Sequence, residues 1–481
     1  MNLFKVNSLE KIYTIFMRFF LPFIHQVWFV LLSGLCLSLG VSHQAYSAEM
    51  TLDLITAYEL AVRHDPQMAS ARFENLASKE LKSQSLALFL PTITATASAN
   101  KNEGDRKNFN TLPSNLSYLG SSKTNYDGYN YAITLKQPII NLENFYRYQQ
   151  NMTQMSRADK QLIRKQQELM LRVSETYLDV MIVKNQSQLL VQQKKAIEDQ
   201  LSLAEAKFEA GLVSVVDINE SKAKLALLRV QEIAVEQNIK IKLRAMQSLI
   251  GEMPTNIMML RPDTTFIRSE DSMEQWLDIA MGASLQVQMK QDELMLAHQT
   301  IGLKKSSHYP TLNAVLSRQK NWANGGYPYG TLDNKGQAVE SDLFGVEVNI
   351  PIFSGGLTES QVREAQFNEE KVNQDFEATL KQVQFEVRQQ YLSLESSYKQ
   401  IEAYQSALKI SKDQLDATIL GFQEGMRNSI EVLNAQQTLF GTEKDLFEIR
   451  CQYLLTLFKL KLAAGLIKET DIQEINRYLS S

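Results

Sequence analysis

The sequence predicts an α+β membrane protein in which amphipathic strand pairs are mounted on very long helices, with the whole plan written twice. Three observations predict it. Four segments alternate strictly between apolar and polar residues. Two runs, 142–208 and 357–420, contain neither glycine nor proline. Finally, Val173, Tyr177, Leu178, Phe208, Gly211 and Gly251 are answered by Val387, Tyr391, Leu392, Phe422, Gly425 and Gly465 at a constant offset of 214 residues. An offset held across tens of residues is what tandem duplication leaves behind. Repeat one is expected over about 52–251 and repeat two over about 272–465.

The chain opens with an expected export signal over 1–48. Lys5, Lys11 and Arg18 precede an uncharged apolar stretch at 27–41, and small residues follow at Ala45, Ser47 and Ala48. That order is the pattern of a secretory signal peptide, with cleavage expected near 45–48. The apolar run is short for a spanning helix of roughly 20 residues, so export is expected over a retained anchor. Met17, followed by Arg18, is a second candidate start beside Met1. Cys36 leaves with the signal, which leaves Cys451 without an intrachain partner and excludes a disulfide framework. Leu35 before Cys36 argues against lipid attachment. Removing the signal takes the formal net charge from −4 to −6, and a mildly acidic chain has no footprint for nucleic acid.

Strands are expected over about 92–101, 129–137, 311–319 and 344–350. Ile93, Ala95, Ala97 and Ala99 share one face of the first, and Tyr129, Tyr131, Ile133 and Leu135 one face of the second. Leu312, Ala314 and Leu316 do so in the third, and Phe344, Val346, Val348 and Ile350 in the fourth. Period two with polar residues opposite is the pattern of a membrane barrel around a watery lumen. Four strands cannot close a barrel, and an open edge in lipid leaves backbone groups unpaired. The barrel must therefore be shared between chains. The stretches 102–128 and 321–343, the second with Trp322, Tyr327 and Tyr329, read as outward-facing loops.

Helical pillars are expected over about 142–250 and 357–464. Roughly 65 helical residues span about 100 Å. Each pillar is a long helix, a glycine turn and a shorter helix at about 215–250 or 429–464. Helices near 67–88 and 286–306 lead into the first strand of each half. The pillar faces mix Leu, Val, Ile and Tyr with many Gln, Ser, Lys and Glu, which suits a hollow, wet helical barrel. A mixed equatorial belt is expected from 52–64, 252–284 and 466–481. At the turns, Gly211 and Gly425 occupy the position past a helix end that favours positive φ. Ser214 and Asn428 follow as N-caps, with Asp217 and Glu431 at N3, so reciprocal capping accounts for both acids.

With these features in place the sequence resembles the TolC family of outer-membrane efflux and secretion channels, from about Leu52 to Gly465. The most specific stretches are PIFSGGLTESQVREAQ (351–366), FEAGLVSVVDINESKAKL (208–225) and GFQEGMRNSIEVLNAQQTLF (421–440). The resemblance implies a homotrimer whose 12-stranded barrel, four strands per chain, continues into a helical tunnel with a closed periplasmic entrance. It also implies a periplasmic adaptor and an inner-membrane pump of ABC, RND or MFS type as partners, with neither catalysis nor a cofactor. Residue by residue, Asp217 and Arg427 match partners of the family's entrance lock, and Glu431 matches an acidic ring. Phe422 stands where the family often has a tyrosine bonded to the aspartate, Val216 where a threonine can assist, and Asn434 where a second ring acid is common. Gly211, Leu212, Gly425 and Met426 match the tips presented to the adaptor. For Glu431, ring acid and helix cap stand side by side.

A periplasmic helical-hairpin adaptor or a structural coiled-coil protein is the alternative, and the four alternating strands discriminate against it. A secreted hydrolase is disfavoured, since His64, His298 and His308 form no ligand cluster and no nucleophile elbow or phosphate loop is present. Drug efflux and protein secretion both fit the channel reading.

Overall fold

A computed structural model describes residues 51–107, 121–211, 214–262, 264–266, 268, 271–324 and 337–480. The expected export signal, Leu212, Tyr327 and Tyr329 lie outside the described residues.

Local caps set the start of each helix. Asp53 accepts from the Thr56 amide at 2.8 Å and opens α1 (Leu54–His64), while Asp65 caps α2 (Pro66–Ala87), whose first residue is a proline. Two strands follow, β2 (Thr92–Lys107) and β3 (Ser121–Ile140), after the short β1 (Thr51–Leu52) at the start of the described chain. Asn141 then accepts from the amides of Glu143 and Asn144 and starts α3 (Leu142–Glu209), which is 68 residues long. Its companion α4 (Val215–Ile250) ends at Gly251 with φ 83°. After β4 (Asn256–Ile257) and β5 (Met259–Leu260), the same order returns. It comprises α5 (Met273–Ala283), α6 (Leu285–Ser306), β6 (Thr311–Asn324), β7 (Gln337–Asn349), the 67-residue α7 (Leu357–Gln423) and α8 (Ser429–Ala463). The chain closes with α9 (Glu469–Asn476) and β8 (Leu479–Ser480).

The long strands form one antiparallel sheet in the order β2–β3–β6–β7, so the two halves meet at β3 and β6. Register places Ile93 opposite Leu135, Leu135 opposite Leu316, and Leu316 opposite Phe344, which brings the apolar residues of all four strands onto one face. Thr94, Thr134 and Ser317 align on the other, where Thr134 and Ser317 hydroxyls lie 3.0 Å apart. Pro138, which has no amide hydrogen, sits at a register shift between β3 and β6. The stretches expected as loops are corrected here. Asn102 still pairs with Tyr126, and Asn321 with Val339, so the ladders continue well into both. Backbone pairing needs no alternation, which only records where one face leaves water.

Side by side, α2, α3, α6 and α7 run below the sheet, and further along α4, α3, α8 and α7 take their place. Polar seams join them: Lys160 Nζ meets Asp292 at 2.6 Å between α3 and α6, and Lys242 Nζ meets Asp179 at 2.6 Å between α4 and α3. The main core lies where the two sets change over. There Tyr177, Val173, Met246, Phe458, Leu460 and Val387 are buried with Leu54 and Ile472. Tyr177 donates its hydroxyl to the carbonyls of Leu52 (2.9 Å) and Met258 (3.0 Å), tying the paired strands β1 and β4 to the pillar. The end of α8 is fitted closely. Gly465 has φ 73°, and a Cβ there would meet the Ala283 carbonyl oxygen at 2.3 Å.

Among the described residues two lateral edges remain open. One is made of β2, α2 and α4; the other of β7 and α7. Both expose large apolar side chains, including Phe73, Leu227 and Val230 on the first and Phe367, Phe385 and Ile410 on the second.

Candidate functional site

The far ends of the pillars carry the residues singled out in the sequence. α3 ends at Ala210 and Gly211, with φ 74° at the glycine; α7 ends at Glu424 and Gly425, again with φ 74°. Among the described residues other than its chain neighbours, none lies within 4 Å of a Cβ built on either glycine, so both tips are open to solvent on that side. Met426 beside the second tip is largely exposed.

The two turns are closed differently. At the first, Ser214 Oγ accepts from the Val216 amide, and the Asp217 carboxylate reaches back to the Ser214 amide at 3.2 Å. Asp217 is thus held by its own cap. At the second, Asn428 Oδ1 accepts from the Glu431 amide at 2.9 Å, but the Glu431 carboxylate does not return to the cap. It accepts instead from Arg427 Nη1 at 2.6 Å. The reciprocal capping expected for both acids therefore holds at Asp217 alone. The reason is spacing: Arg427 and Glu431 stand four residues apart across a helix start, where a charged donor outcompetes a neutral amide. Arg427 lies over Gly421, where a Cβ would meet its Cγ at 2.8 Å. Within one chain Asp217 and Arg427 are not brought together. Asn434 is exposed one turn further along α8, and Val216 is exposed beside Asp217.

A joint between the hairpins brings Phe422 together with Lys207, a residue the sequence motifs do not single out. Phe422, 3% exposed, lies under Lys207, whose Nζ is 3.9 Å from the ring centroid and donates to the Phe422 carbonyl at 3.1 Å. One cation from the last turn of α3 thus holds both the aromatic face and a terminal carbonyl of α7. Nearby, Gln200 Nε2 donates to Ser429 Oγ at 3.2 Å in a buried contact between α3 and α8. Ile197, Leu228 and Leu433 form a small apolar cluster beside it. Further up, Lys224 Nζ donates to Gln437 Oε1 at 2.9 Å. Of these, Lys207 carried a sequence signal: at the 214-residue offset it falls level with Gly421, next to Phe422.

Among the described residues no helix is long and apolar enough to cross a membrane, and no group of three or more His, Cys, Asp or Glu residues is placed to hold a metal.

The profile of the family described as outer membrane efflux protein matches residues 57–252 and again 276–466. The proteases secretion protein PrtF of Dickeya chrysanthemi is 25% identical to this chain, over 89% of the chain and 92% of its own length. The outer membrane protein TolC of Vibrio cholerae is 26% identical, over 91% and 96%. Among solved structures, the outer membrane protein VceC of Vibrio cholerae superposes with a TM-score of 0.69 at 16% identity, covering 86% of this chain and 96% of that one.

Proposed function

The chain belongs to the outer membrane efflux protein family, and from that premise we propose how it assembles and works. It is an outer-membrane export duct of the efflux or type I secretion kind, in the outer membrane of a Gram-negative bacterium and extending into the periplasm. Three copies form the duct. The observation that carries this reading is the pair of open edges. Among the described residues β2 and β7 each have a neighbouring strand on one side only, which leaves an open sheet edge on the other. In lipid each such group costs several kcal/mol, so the edges must meet the edges of other copies. Because one edge is built from β2, α2 and α4 and the other from β7 and α7, the contact is head-to-tail and closes as a ring. Three copies supply twelve strands. The apolar face then meets lipid, the threonine and serine face lines the lumen, and the helices continue as a tunnel. A Lys or Arg on the lipid face costs about 2–4 kcal/mol at the bilayer midplane and about 0–1 kcal/mol near its surfaces.

The tips form the periplasmic entrance. Within a protomer, Lys207–Phe422 and Gln200–Ser429 hold the two hairpins together. Between protomers, Asp217 and Arg427 complete the lock, with Glu431 as the acid ring and Asn434 as a neutral position beyond it. Gly211, Leu212, Gly425 and Met426 face a periplasmic adaptor that couples the duct to an inner-membrane pump of ABC, RND or MFS type. Members of the family are channels, and this protein catalyses nothing and uses no cofactor. Its two halves descend from one duplicated unit, the segment up to 45–48 is removed on export, and 52–64, 252–284 and 466–481 form a belt around the tunnel. The cargo is a drug, another small molecule or a protein; the likeness to a protease secretion protein favours the last.

Purification in mild detergent followed by mass measurement and planar-bilayer recording tests the reading. Trimers that open discrete pores are expected. A stable monomer with a complete sheet and no pore activity sinks it.

A further inference from the structure

The lipid-side face of the sheet changes character partway up. Leu316 pairs with Phe344, but the next row outward pairs Arg318 with Asp342, and the next pairs Lys320 with Glu340. Period two places all three rows on one face. Arg318 Nε and Asp342 Oδ1 lie 3.6 Å apart with both side chains 74% exposed, and Lys320 bonds Glu340 in the same open setting. Above them Trp322 stacks on Tyr129 with ring centroids 5.0 Å apart.

Below the charged rows the lipid-side surface is apolar to the end of β7 and beyond it. Phe344, Val346, Val348, Ile350, Ile352 and Phe353 are all well exposed. At about 3.3 Å per residue and a tilt near 40°, the part of this surface that lies in β7, from Phe344 to Asn349, rises roughly 13 Å, and Ile350, Ile352 and Phe353 continue it past the end of the strand. Charges on the lipid face cost least near a bilayer surface, which sets the ion pairs at the level of the outer headgroups. Raising the band to Trp322 would instead bury four charges per chain in acyl chains.

We propose that Arg318 and Lys320, with Asp342 and Glu340 beside them, form a docking surface for phosphate-bearing lipid headgroups of the outer leaflet. The inference rests on the shared-barrel reading. An amphiphile lying on Leu316 and Phe344 brings its phosphate to these two cations. The open guanidinium of Arg318 keeps donors free for a fork onto phosphate oxygens. Asp342 and Glu340 lower the net charge and offer oxygens to cations that bridge neighbouring phosphates. An aromatic pair directly above is the usual company of a membrane surface.

The test uses the assembled protein after removal of the signal, in which Trp276 and Trp322 are the two tryptophans. Native mass spectrometry would follow retention of an acylated, doubly phosphorylated glucosamine disaccharide and of its dephosphorylated form. Wild type and Arg318→Lys/Lys320→Arg should retain the phosphorylated lipid, and Arg318→Gln/Lys320→Gln should retain it at least about tenfold less. Equal retention by the neutral variant, or equal retention of the dephosphorylated lipid, overturns the proposal. Depth is read separately in vesicles of brominated phosphatidylcholine, using Trp276→Phe to leave Trp322 as the reporter. Quenching by bromine near the headgroup is expected, and quenching only by deep bromine overturns the proposal. In a Trp276→Phe/Trp322→Phe background, Phe344→Trp should be quenched by mid-chain bromine. If no bromine position quenches it, the sheet is outside the bilayer, and the channel reading falls together with this one.

Discussion

Replacing Lys207 with methionine keeps the length of the side chain and its contact with the Phe422 ring while removing the charge. Two interactions are lost: the cation over the ring at 3.9 Å and the hydrogen bond to the Phe422 carbonyl at 3.1 Å. A cation–π contact contributes about 0.5–2 kcal/mol, and a hydrogen bond from a charged donor about 1.5–3 kcal/mol. Lys207 is half-buried, so the lower ends apply, and about 1–2 kcal/mol per protomer is the working figure. Each 1.4 kcal/mol is about a tenfold change in an equilibrium, so the closed entrance should lose roughly five- to thirtyfold of its preference per copy. Single-channel recording in planar bilayers reads this as a larger conductance or a higher open fraction. Lys207→Arg, which keeps the cation and its donors, should behave as wild type. If Lys207→Met assembles normally and conducts as wild type does, the contact is packing and not a latch.

Glu431→Gln and Arg427→Ser break the same 2.6 Å pair, so both should raise conductance. Only Glu431→Gln removes a ring carboxylate, and it alone should also lose cation preference and block by multivalent cations. Survival of both electrical properties leaves Glu431 as a partner of Arg427 and nothing more. Tyr58 and Tyr453 are each pushed up to about 12, chiefly by burial. Their folded forms hold the proton after the unfolded chain has lost it, so the stability they contribute is full below pH about 10 and falls as pH rises towards 12. Melting temperature measured from pH 9 to 11.5 should drop, less steeply in Tyr58→Phe; a flat profile refutes the assignment. Cys451 is fully buried and its thiol pushed up by that burial, so a maleimide should label it only after denaturation. Labelling in the native protein contradicts the packing of α8.

How far the sequence foretold this arrangement depends on which solvent each residue meets. Ile93, Leu135, Leu316 and Phe344 were legible as one face because, in the proposed barrel, lipid on one side and water on the other impose period two. The length of α3 and α7 was legible because no glycine or proline interrupts them. Strand ends were not: from Arg318 outward charged and polar residues occupy both faces, and pairing such as Asn321 with Val339 leaves no alternation to read. At the tips, the positive φ of Gly211 and Gly425 followed from the helix stops, and the cap at Asp217 from its distance to Ser214. The partner of Glu431 was harder. Its cap spacing from Asn428 and its ion-pair spacing from Arg427 are both present, and only the geometry of the turn decides between them. Lys207 and Phe422 are 215 residues apart, and nothing local to either residue names the other.

The unlike edges of the chain carry a genetic consequence. In the proposed ring every protomer must offer a sound first-half edge to one neighbour and a sound second-half edge to the other, and no copy can be bypassed. An allele that folds but spoils β2 or β7 would therefore enter rings and leave them unsealed. At equal expression with wild type, only about one ring in eight would contain three sound copies. Edge alleles should be dominant, whereas alleles that destroy the core around Tyr177 never reach assembly and should be recessive.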